Sequence, residues 1–238
     1  MPLQWKVSVI ILFPKPGKPP DIPSLYRPIS LLPFFSKLCE KLIIKRISQI
    51  ASDLNVIPHT QFGFRNEHST EHQIHRLTDV IAYSFENKLY SSEVLLDVAQ
   101  AFDKVWHTGL LYKLKQFLPS PYFLFFKFNL ENRHFVTKVG SEFSNLAPIL
   151  VGVPQDAISS PILYNIYAAD QPISPYTSVA EFADDKIIFT SNENPLAARH
   201  HLQNHLNDME IWDSKRKIKI NNDKSSHITF TPLPSDKA

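Results

Sequence analysis

The chain has 238 residues, of which 43% are hydrophobic and 20% are charged, and this composition is typical of a globular protein. A single cysteine, Cys39, excludes an internal disulfide and fits a reducing compartment. The net charge of +2 permits nucleic-acid binding without being a strongly basic signature. We expect an intracellular protein of the cytoplasm, the nucleus or both, with no membrane contact. No run is apolar enough to span a bilayer, and the apolar start ends at Pro14-Lys15 without a cleavage site.

The first third of the chain is predicted to contain one strand and two helices. Residues 7–13 form an apolar run that reads as a buried strand, and a proline-rich loop with basic side chains follows it. Residues 36–54 carry apolar side chains at helical spacing, with Ser36 as a candidate N-cap. A second helix is expected to begin with a capping box formed by Thr70 and Gln73.

Histidines in two predicted helices raise the question of a zinc site. His68, His72 and His75 could share one face, and His201 and His205 another. Neither group has an evident fourth ligand or open catalytic position. We therefore expect exposed helix histidines.

The middle of the chain contains an acid inside an apolar strand. Residues 93–106 read EVLLDVAQAFDKVW, and Asp97 interrupts the apolar run. Burying an acid costs energy unless it is paired or bound to a metal. Asp97 is therefore a stronger indication of a functional site than Asp103, which lies beyond the strand. Further on, helices are expected from the Ser-Pro pair at 160–161 and the Asn-Pro pair at 194–195. The alternation of isoleucine and lysine at 217–220 indicates a strand.

Residues 182–185 read Phe-Ala-Asp-Asp and lie between two β-prone runs. This pattern predicts a hairpin with the acids at its tip, because Asp tolerates turn dihedrals. Two close carboxylates repel each other, so the arrangement is most stable with a cation between them. An ordinary exposed Asp-Asp turn is the simpler alternative, and these four residues alone favour it.

Five motifs occur in an order and at a spacing that resemble the reverse transcriptases of non-long-terminal-repeat retrotransposons, most closely the jockey-like elements of insects. The motifs are YRPISLLP, QFGFRNEHST, LLDVAQAFDKVWH, GVPQ followed by SSPILYNIY, and FADD. Together they extend through nearly the whole chain and overturn the simple-turn interpretation of FADD. The resemblance implies an α+β fold, with a palm of antiparallel sheet backed by helices in residues 91–238. It also implies a fingers portion in residues 1–90 and no thumb.

The resemblance implies an RNA-directed DNA polymerase, a nucleotidyltransferase that adds deoxynucleoside triphosphates to a primer 3′-hydroxyl. Its partners would be an RNA template and a DNA primer. Its cofactor would be Mg²⁺ or Mn²⁺ in a two-metal mechanism, held by Asp97, Asp184 and Asp185 as catalytic carboxylates. No oligomeric state follows from the sequence.

The same resemblance implies five residues that contact the nucleotide. Phe102 matches the aromatic position that lies under the sugar and excludes a 2′-hydroxyl. Gln155 would contact the incoming nucleotide and the template region. Arg27 and Arg65 would reach the template or the triphosphate, and Lys224 would assist the departure of pyrophosphate.

The chain departs from the family pattern at Asp156, where a glycine is usual, and at Lys186, where a small or polar residue is usual. Against the family pattern we also expect a chain without the upstream endonuclease domain and without a thumb, as in a fragment or a decayed copy. The alternative function is therefore a non-catalytic remnant that at most binds nucleic acid.

Asp156→Gly is expected to extend primers faster than the unmodified chain. Unit charges about 6 Å apart at an effective dielectric near 20 interact by roughly 3 kcal/mol, and an ionised Asp156 would repel the triphosphate. Even half of that repulsion would weaken triphosphate binding about tenfold. Short extensions on a primed RNA template measure the effect, and equal rates for the two chains would contradict it.

Overall fold

The computed structural model describes residues 2–14, 16–17, 22, 25–154 and 157–232. Within them the chain forms a mixed α+β fold, and none of the helices is long and apolar enough to cross a bilayer. The strands are β1 (Val7–Pro14), β2 (Tyr26–Leu31), β3 (Tyr90–Leu96), β4 (Arg133–Val139), β5 (Glu142–Phe143), β6 (Ala147–Ile149), β7 (Ser178–Phe182), β8 (Asp185–Asn192) and β9 (Ser226–Phe230). The helices are α1 (Phe34–Asp53), α2 (Thr70–Glu86), α3 (His107–Phe117), α4 (Ser120–Leu130), α5 (Ser160–Ala168) and α6 (Pro195–Arg216).

The chain divides into two compact units, and each is assembled from two separate stretches of sequence. The first unit contains Met1–Val56 and Phe102–Tyr167, and the second contains Ile57–Ala101 and Ala168–Ala238. The chain therefore passes from one unit to the other three times. The functional boundary between fingers and palm at residue 90 stays a prediction.

The first unit contains a five-stranded sheet in the order β2-β1-β4-β5, with β6 also paired to β4. β1 and β4 are parallel, and the other pairs are antiparallel. Its core comes from apolar side chains that α1, α3 and α4 bury completely, namely Ile47, Leu110, Leu114 and Phe126. Each such burial stabilises the fold by about 1.5–3 kcal/mol. The predicted strand and helix in this region are confirmed, but the N-cap is Pro33, and Ser36 is buried within the first turn.

The second unit contains a four-stranded antiparallel sheet in the order β7-β8-β3-β9. α6 packs against β3 and β8, and α2 packs against β3 and β7, so the predicted antiparallel sheet backed by helices is confirmed. α6 begins as expected: the side chain of Asn194 accepts a hydrogen bond from the Leu196 N–H at 2.9 Å, and Pro195 occupies the first turn.

Three local predictions in the second unit are wrong. The predicted strand at 217–220 is reduced to a single bridge of Ile220 with Val98, because Lys217 still serves as the left-handed C-cap of α6. Ser69 rather than Thr70 caps α2, accepting the His72 N–H at 3.2 Å. His205 is 1% exposed rather than a surface histidine.

A buried group of charged side chains joins α6 to the hairpin of β7 and β8. Lys186 and Glu181 form an ion pair at 3.6 Å, and both are under 10% exposed. The Lys186 ammonium also lies 5.4 Å from the centre of the Trp212 ring. Burial raises the pKa of Asp213 to about 6, and the positive charge of Lys186 opposes that rise. Lys186, which departs from the family pattern, therefore interacts with two buried acids, Glu181 and Asp213.

Asp213→Asn is expected to stabilise the protein at pH 7 more than at pH 4. The folded-state pKa of Asp213 lies above its unfolded value, so its stabilising contribution is complete below pH 4 and is lost as the pH rises through about 6. Asparagine has no carboxyl to ionise, so the variant avoids this loss in the free energy of unfolding. With allowance for solvent screening, the loss is about 2 kcal/mol. Urea unfolding of both proteins at the two pH values measures the difference. An equal change in the free energy of unfolding at pH 4 and pH 7 would contradict the raised pKa of Asp213.

Candidate active site

The hairpin of β7 and β8 carries two of the three predicted metal ligands at its tip. Phe182 pairs with Asp185, which leaves Ala183 and Asp184 as a two-residue turn. Ala183 has a φ of 60°, a left-handed conformation that costs a residue with a Cβ roughly 1–2 kcal/mol. The predicted hairpin is present, and its turn begins in a conformation that needs support from outside the turn.

Asp97 lies at the same edge of this sheet, directly after β3. Leu96 pairs with Lys186, so extending the antiparallel register by one residue brings Asp97 beside Asp185. The backbone of Asp97 is held on both sides: its N–H donates to Ser225 Oγ at 3.2 Å, and its carbonyl accepts from the Asn221 N–H at 2.8 Å. The sheet therefore joins acids that are far apart in sequence.

The charges of Asp97 and Asp185 act on the carboxyl of Asp184. Burial raises the pKa of Asp184, and the negative charges of Asp185 and Asp97 raise it further. The backbone N–H of Asp184 and the ammonium of Lys224 act in the opposite direction. Lys224 Nζ is 3.5 Å from Asp97 Oδ1, and its side chain is 68% exposed. Asp184 is thus a desolvated carboxylate in a negative field, with one exposed cation near it.

The chemistry of this edge fits a hard divalent cation. Carboxylate oxygens are preferred ligands of Mg²⁺, and a cation would relieve the desolvation and repulsion of Asp184. Among the described residues, no three His, Cys, Asp or Glu side chains are grouped closely enough to hold a metal ion. The acids fit an ion by charge and ligand type, but their side chains do not form a finished coordination shell. Their assignment as metal ligands stays a prediction.

In the first unit, Phe102 lies against the loop that contains the GVPQ motif. The Val153 N–H donates to the Phe102 carbonyl and the Gly152 N–H to the Val105 carbonyl, both at 2.8 Å. Gly152 has a φ of +90°, and a Cβ there would lie 2.6 Å from the Asp103 carbonyl oxygen, so only glycine suits this approach. The Phe102 ring is partly exposed, and its centre lies 4.9 Å from the centre of the Tyr164 ring.

The other predicted nucleotide contacts differ in how far the structure describes them. Gln155 lies outside the described residues, as does Asp156. Arg27 is exposed on β2 of the first unit. Arg65 Nη1 donates to the Pro58 carbonyl at 3.0 Å and to the Gln61 carbonyl at 3.3 Å, so part of its guanidinium holds its own loop.

Sequence reasoning missed Gln61 and Gln73, whose side chains bond the backbone around the acidic hairpin. Gln61 bonds Ala183, and Gln73 bonds Thr60 and Glu181. The one available signal was Gly63 between two phenylalanines, which indicates a close backbone approach without naming the partner. A Cβ on Gly63 would lie 2.8 Å from Ala183 Cα and would overlap its nitrogen.

Comparisons with known proteins agree with the resemblance read from the motifs. The family model described as Reverse transcriptase (RNA-dependent DNA polymerase) matches residues 13–235. The probable RNA-directed DNA polymerase from transposon BS of Drosophila melanogaster is 40% identical over 97% of this chain, which spans 26% of that protein. The RNA-directed DNA polymerase from mobile element jockey of the same species is 39% identical over 96% of this chain, again spanning 26% of its length. The chain thus spans about a quarter of the length of these relatives.

Solved structures show the same fold at low sequence identity. Apo telomerase from Candida tropicalis, truncated from its C-terminal domain, has a TM-score of 0.66 and 14% identity over 99% of this chain and 52% of its own. Telomerase of that species in complex with a fragment of telomeric RNA has a TM-score of 0.66 and 12% identity, covering 100% of this chain and 43% of its own. Because the matched family and the fold agree along nearly the whole sequence, the chain belongs to the reverse transcriptase (RNA-dependent DNA polymerase) family, where it is similar to the jockey-like retrotransposon polymerases.

Proposed function

We propose that this chain performs RNA-directed DNA synthesis, adding deoxynucleotides to the 3′-hydroxyl of a primer paired with an RNA template. The observation that carries the proposal is the acidic edge of the second unit, where the charges of Asp97 and Asp185 act on the half-buried Asp184. The relatives named as RNA-directed DNA polymerases support the reaction, and the telomerase solved with telomeric RNA supports an RNA partner.

Asp97, Asp184 and Asp185 would hold Mg²⁺ or Mn²⁺ through their carboxylate oxygens. When bound, the ions make the primer hydroxyl a better nucleophile and stabilise the charge on the departing pyrophosphate. The chain's own contribution is to fix the direction of Asp184 by a two-residue turn and that of Asp97 by its two backbone hydrogen bonds. Lys224, exposed beside Asp97, would neutralise the pyrophosphate as it leaves.

The remaining residues would select and orient the nucleotide. The partly exposed ring of Phe102 would lie under the deoxyribose and exclude a 2′-hydroxyl. Arg27 and Arg65 would contact the template or the triphosphate, and Gln155 would contact the incoming nucleotide. In this proposal residues 1–90 serve as fingers and residues 91–238 as palm.

Primer extension tests the proposal directly. The purified chain is incubated with a primed RNA template, Mg²⁺ and labelled deoxynucleotides, with unprimed RNA and the Asp97→Asn chain as controls. We expect extension that requires the primer and that Asp97→Asn abolishes. Equal incorporation by the two chains would contradict the assignment of the acidic edge.

A non-catalytic nucleic-acid binder is the second candidate, and the aspartate at position 156 favours it. Such a chain would extend no primer, with or without Asp156→Gly. It would still bind RNA with an affinity that falls steeply as salt rises, because lysines and arginines would contact phosphates. The candidate contacts are Lys15, Lys18, Arg27, Arg65, Lys215, Arg216, Lys217 and Lys219. Of these, Lys15 and Lys18 lie outside the described residues, and Arg216 pairs with Asp170.

A further inference from the structure

Gln61 belongs to a buried network that surrounds the turn carrying Asp184. Its side chain is 2% exposed, and every polar atom of its amide bonds to backbone. Gln61 Nε2 donates to the Ala183 carbonyl at 2.9 Å. Gln61 Oε1 accepts the N–H groups of Ala183 at 2.8 Å and of Gly63 at 2.7 Å. One side chain thus bonds both backbone polar groups of the residue that precedes Asp184.

These hydrogen bonds act on Ala183, the first residue of the turn. Ala183 is the residue with positive φ, a conformation that costs a residue with a Cβ roughly 1–2 kcal/mol. The Ala183 carbonyl belongs to the peptide plane that continues through the Asp184 nitrogen to the Asp184 Cα. Fixing that carbonyl fixes the plane, and with it the position of the backbone atoms from which the Asp184 side chain starts.

The loop that carries Gln61 is itself attached to β7. The Phe62 N–H donates to the Glu181 carbonyl at 2.9 Å, and the Glu181 N–H donates to the Thr60 carbonyl at 3.0 Å. Gln73 Nε2, from α2, donates to the carbonyls of Thr60 and Glu181 at 2.9 and 3.0 Å. The loop is therefore a short parallel extension of the sheet edge, and Gln61 is delivered to the turn from a rigid support.

Gly63 permits the loop that carries Gln61 to approach the backbone of Ala183 closely. A Cβ there would overlap the Ala183 nitrogen and lie 2.9 Å from Gln61 Oε1, where the amide bonds are made. Neither Gln61 nor Gly63 carries a charge or a nucleophile, and their contacts at Ala183 make them a support for the turn.

We propose that Gln61 is a positioning residue, which clamps Ala183 through its side-chain amide and so holds the Asp184 carboxyl in its working direction. The proposal rests on the proposed polymerase function for its consequence in catalysis, but the clamp itself is a property of the folded chain. Gln61 contacts Ala183 and Gly63, and its effect on the reaction passes through the backbone.

Hydrogen exchange in the unmodified protein tests the clamp without any variant. The turn between β4 and β5, at Gly140 and Ser141, has the same two-residue length, and its first residue also has positive φ, at 60°. No side chain among the described residues bonds the Gly140 amide, so this amide should exchange freely. We expect the Ala183 amide to exchange at least about tenfold more slowly than the Gly140 amide, after correction for intrinsic rates. Equal corrected rates would overturn the proposal.

Gln61→Met tests the consequence, because methionine keeps the length and removes the hydrogen bonds. We expect Ala183 exchange to rise by about tenfold while exchange of Ile188, in the core of β8, stays unchanged. The matched control is Gln203→Met, where an exposed glutamine of α6 loses its bond to Asn207. An equal rise at Ile188 and Ala183 would indicate general loosening and would overturn a positioning role.

Kinetics separate the clamp from the polymerase proposal. In a chain that extends primers, Gln61→Met should lower kcat by about tenfold or more with little change in the KM for deoxynucleotide, because the nucleotide contacts remain. An unchanged kcat would overturn the role in catalysis. Failure of the unmodified chain to extend primers would count against the polymerase proposal alone, and the exchange measurements would still decide whether the clamp exists.

Discussion

Asp184→Asn is expected to reduce primer extension at least about a thousandfold while leaving the protein folded. A divalent ion contributes several kcal/mol of charge stabilisation, and about 4 kcal/mol corresponds to a thousandfold in rate. Asparagine keeps the size of the side chain but offers one neutral ligand oxygen in place of a carboxylate. Because burial and the charges of Asp185 and Asp97 already disfavour the ionised carboxyl, the substitution removes a repulsion from the metal-free protein. Activity should fall while thermal stability without added metal holds or rises.

Single-nucleotide incorporation and thermal unfolding, measured on the same preparations, check both halves of this expectation. Asp79→Asn is the matched control, because Asp79 is an exposed acid on α2. The control should change neither measurement. An Asp184→Asn chain that retains a tenth of the activity would contradict the assignment of Asp184. A large fall in its melting temperature would instead show that the carboxylate stabilises the metal-free fold.

Glu40→Gln is expected to destabilise the first unit by about 1–3 kcal/mol, because it removes a buried charge that compensates Arg133 and weakens a buried hydrogen bond. Glu40 is 1% exposed on α1, and its Oε2 accepts the Ser159 hydroxyl at 2.9 Å. Arg133, on β4, is 3% exposed. Burial lowers the pKa of Arg133, and the negative charge of Glu40 counters that shift. Once Glu40 is neutral, the guanidinium must either stay charged without compensation or move toward water.

Urea unfolding of Glu40→Gln, Arg133→Met and the double variant measures the coupling between the two charges. The double variant should lose about 1–3 kcal/mol less than the sum of the single losses, because it removes both charges together. Glu210→Gln, at an exposed position of α6, should change the free energy of unfolding by less than about 0.5 kcal/mol. Additive losses at Glu40 and Arg133 would show that the two side chains act independently.

The elements that the sequence predicts well are those specified by neighbouring residues. The Asn-Pro start of α6, the Ser-Pro start of α5 and the hairpin around Ala183-Asp184 each depend on a cap or turn preference that acts within a few positions. The predicted strand at 217–220 failed because its alternation covers only four residues, and the first of them, Lys217, serves as the left-handed C-cap of α6.

The parts that escaped prediction depend on pairings across long stretches of sequence. Gln73 fitted a local capping box, yet its side chain bonds the Glu181 carbonyl, 108 residues away. Lys186 looked like a departure from a pattern, and only the fold reveals the buried acids beside it. The closeness of Asp97 to Asp185 required the register of β3 with β8, which no local pattern provides. For Asp97 and Asp185 the family resemblance implied the roles, and the strand register supplied the pairing.

The alternation of the chain between its two units has a consequence for how the protein is made. On the ribosome, the first unit cannot close until residues 102–167 have emerged, although residues 1–56 are translated before the second unit begins. β3 must wait longer, because both of its neighbours, β8 and β9, are translated far downstream. The backbone N–H and C=O groups along its edges therefore stay unpaired until β8 and β9 have emerged, and nascent chains with unpaired strands aggregate or recruit chaperones. We expect the two units to close in two steps, after residues 167 and 230 have emerged.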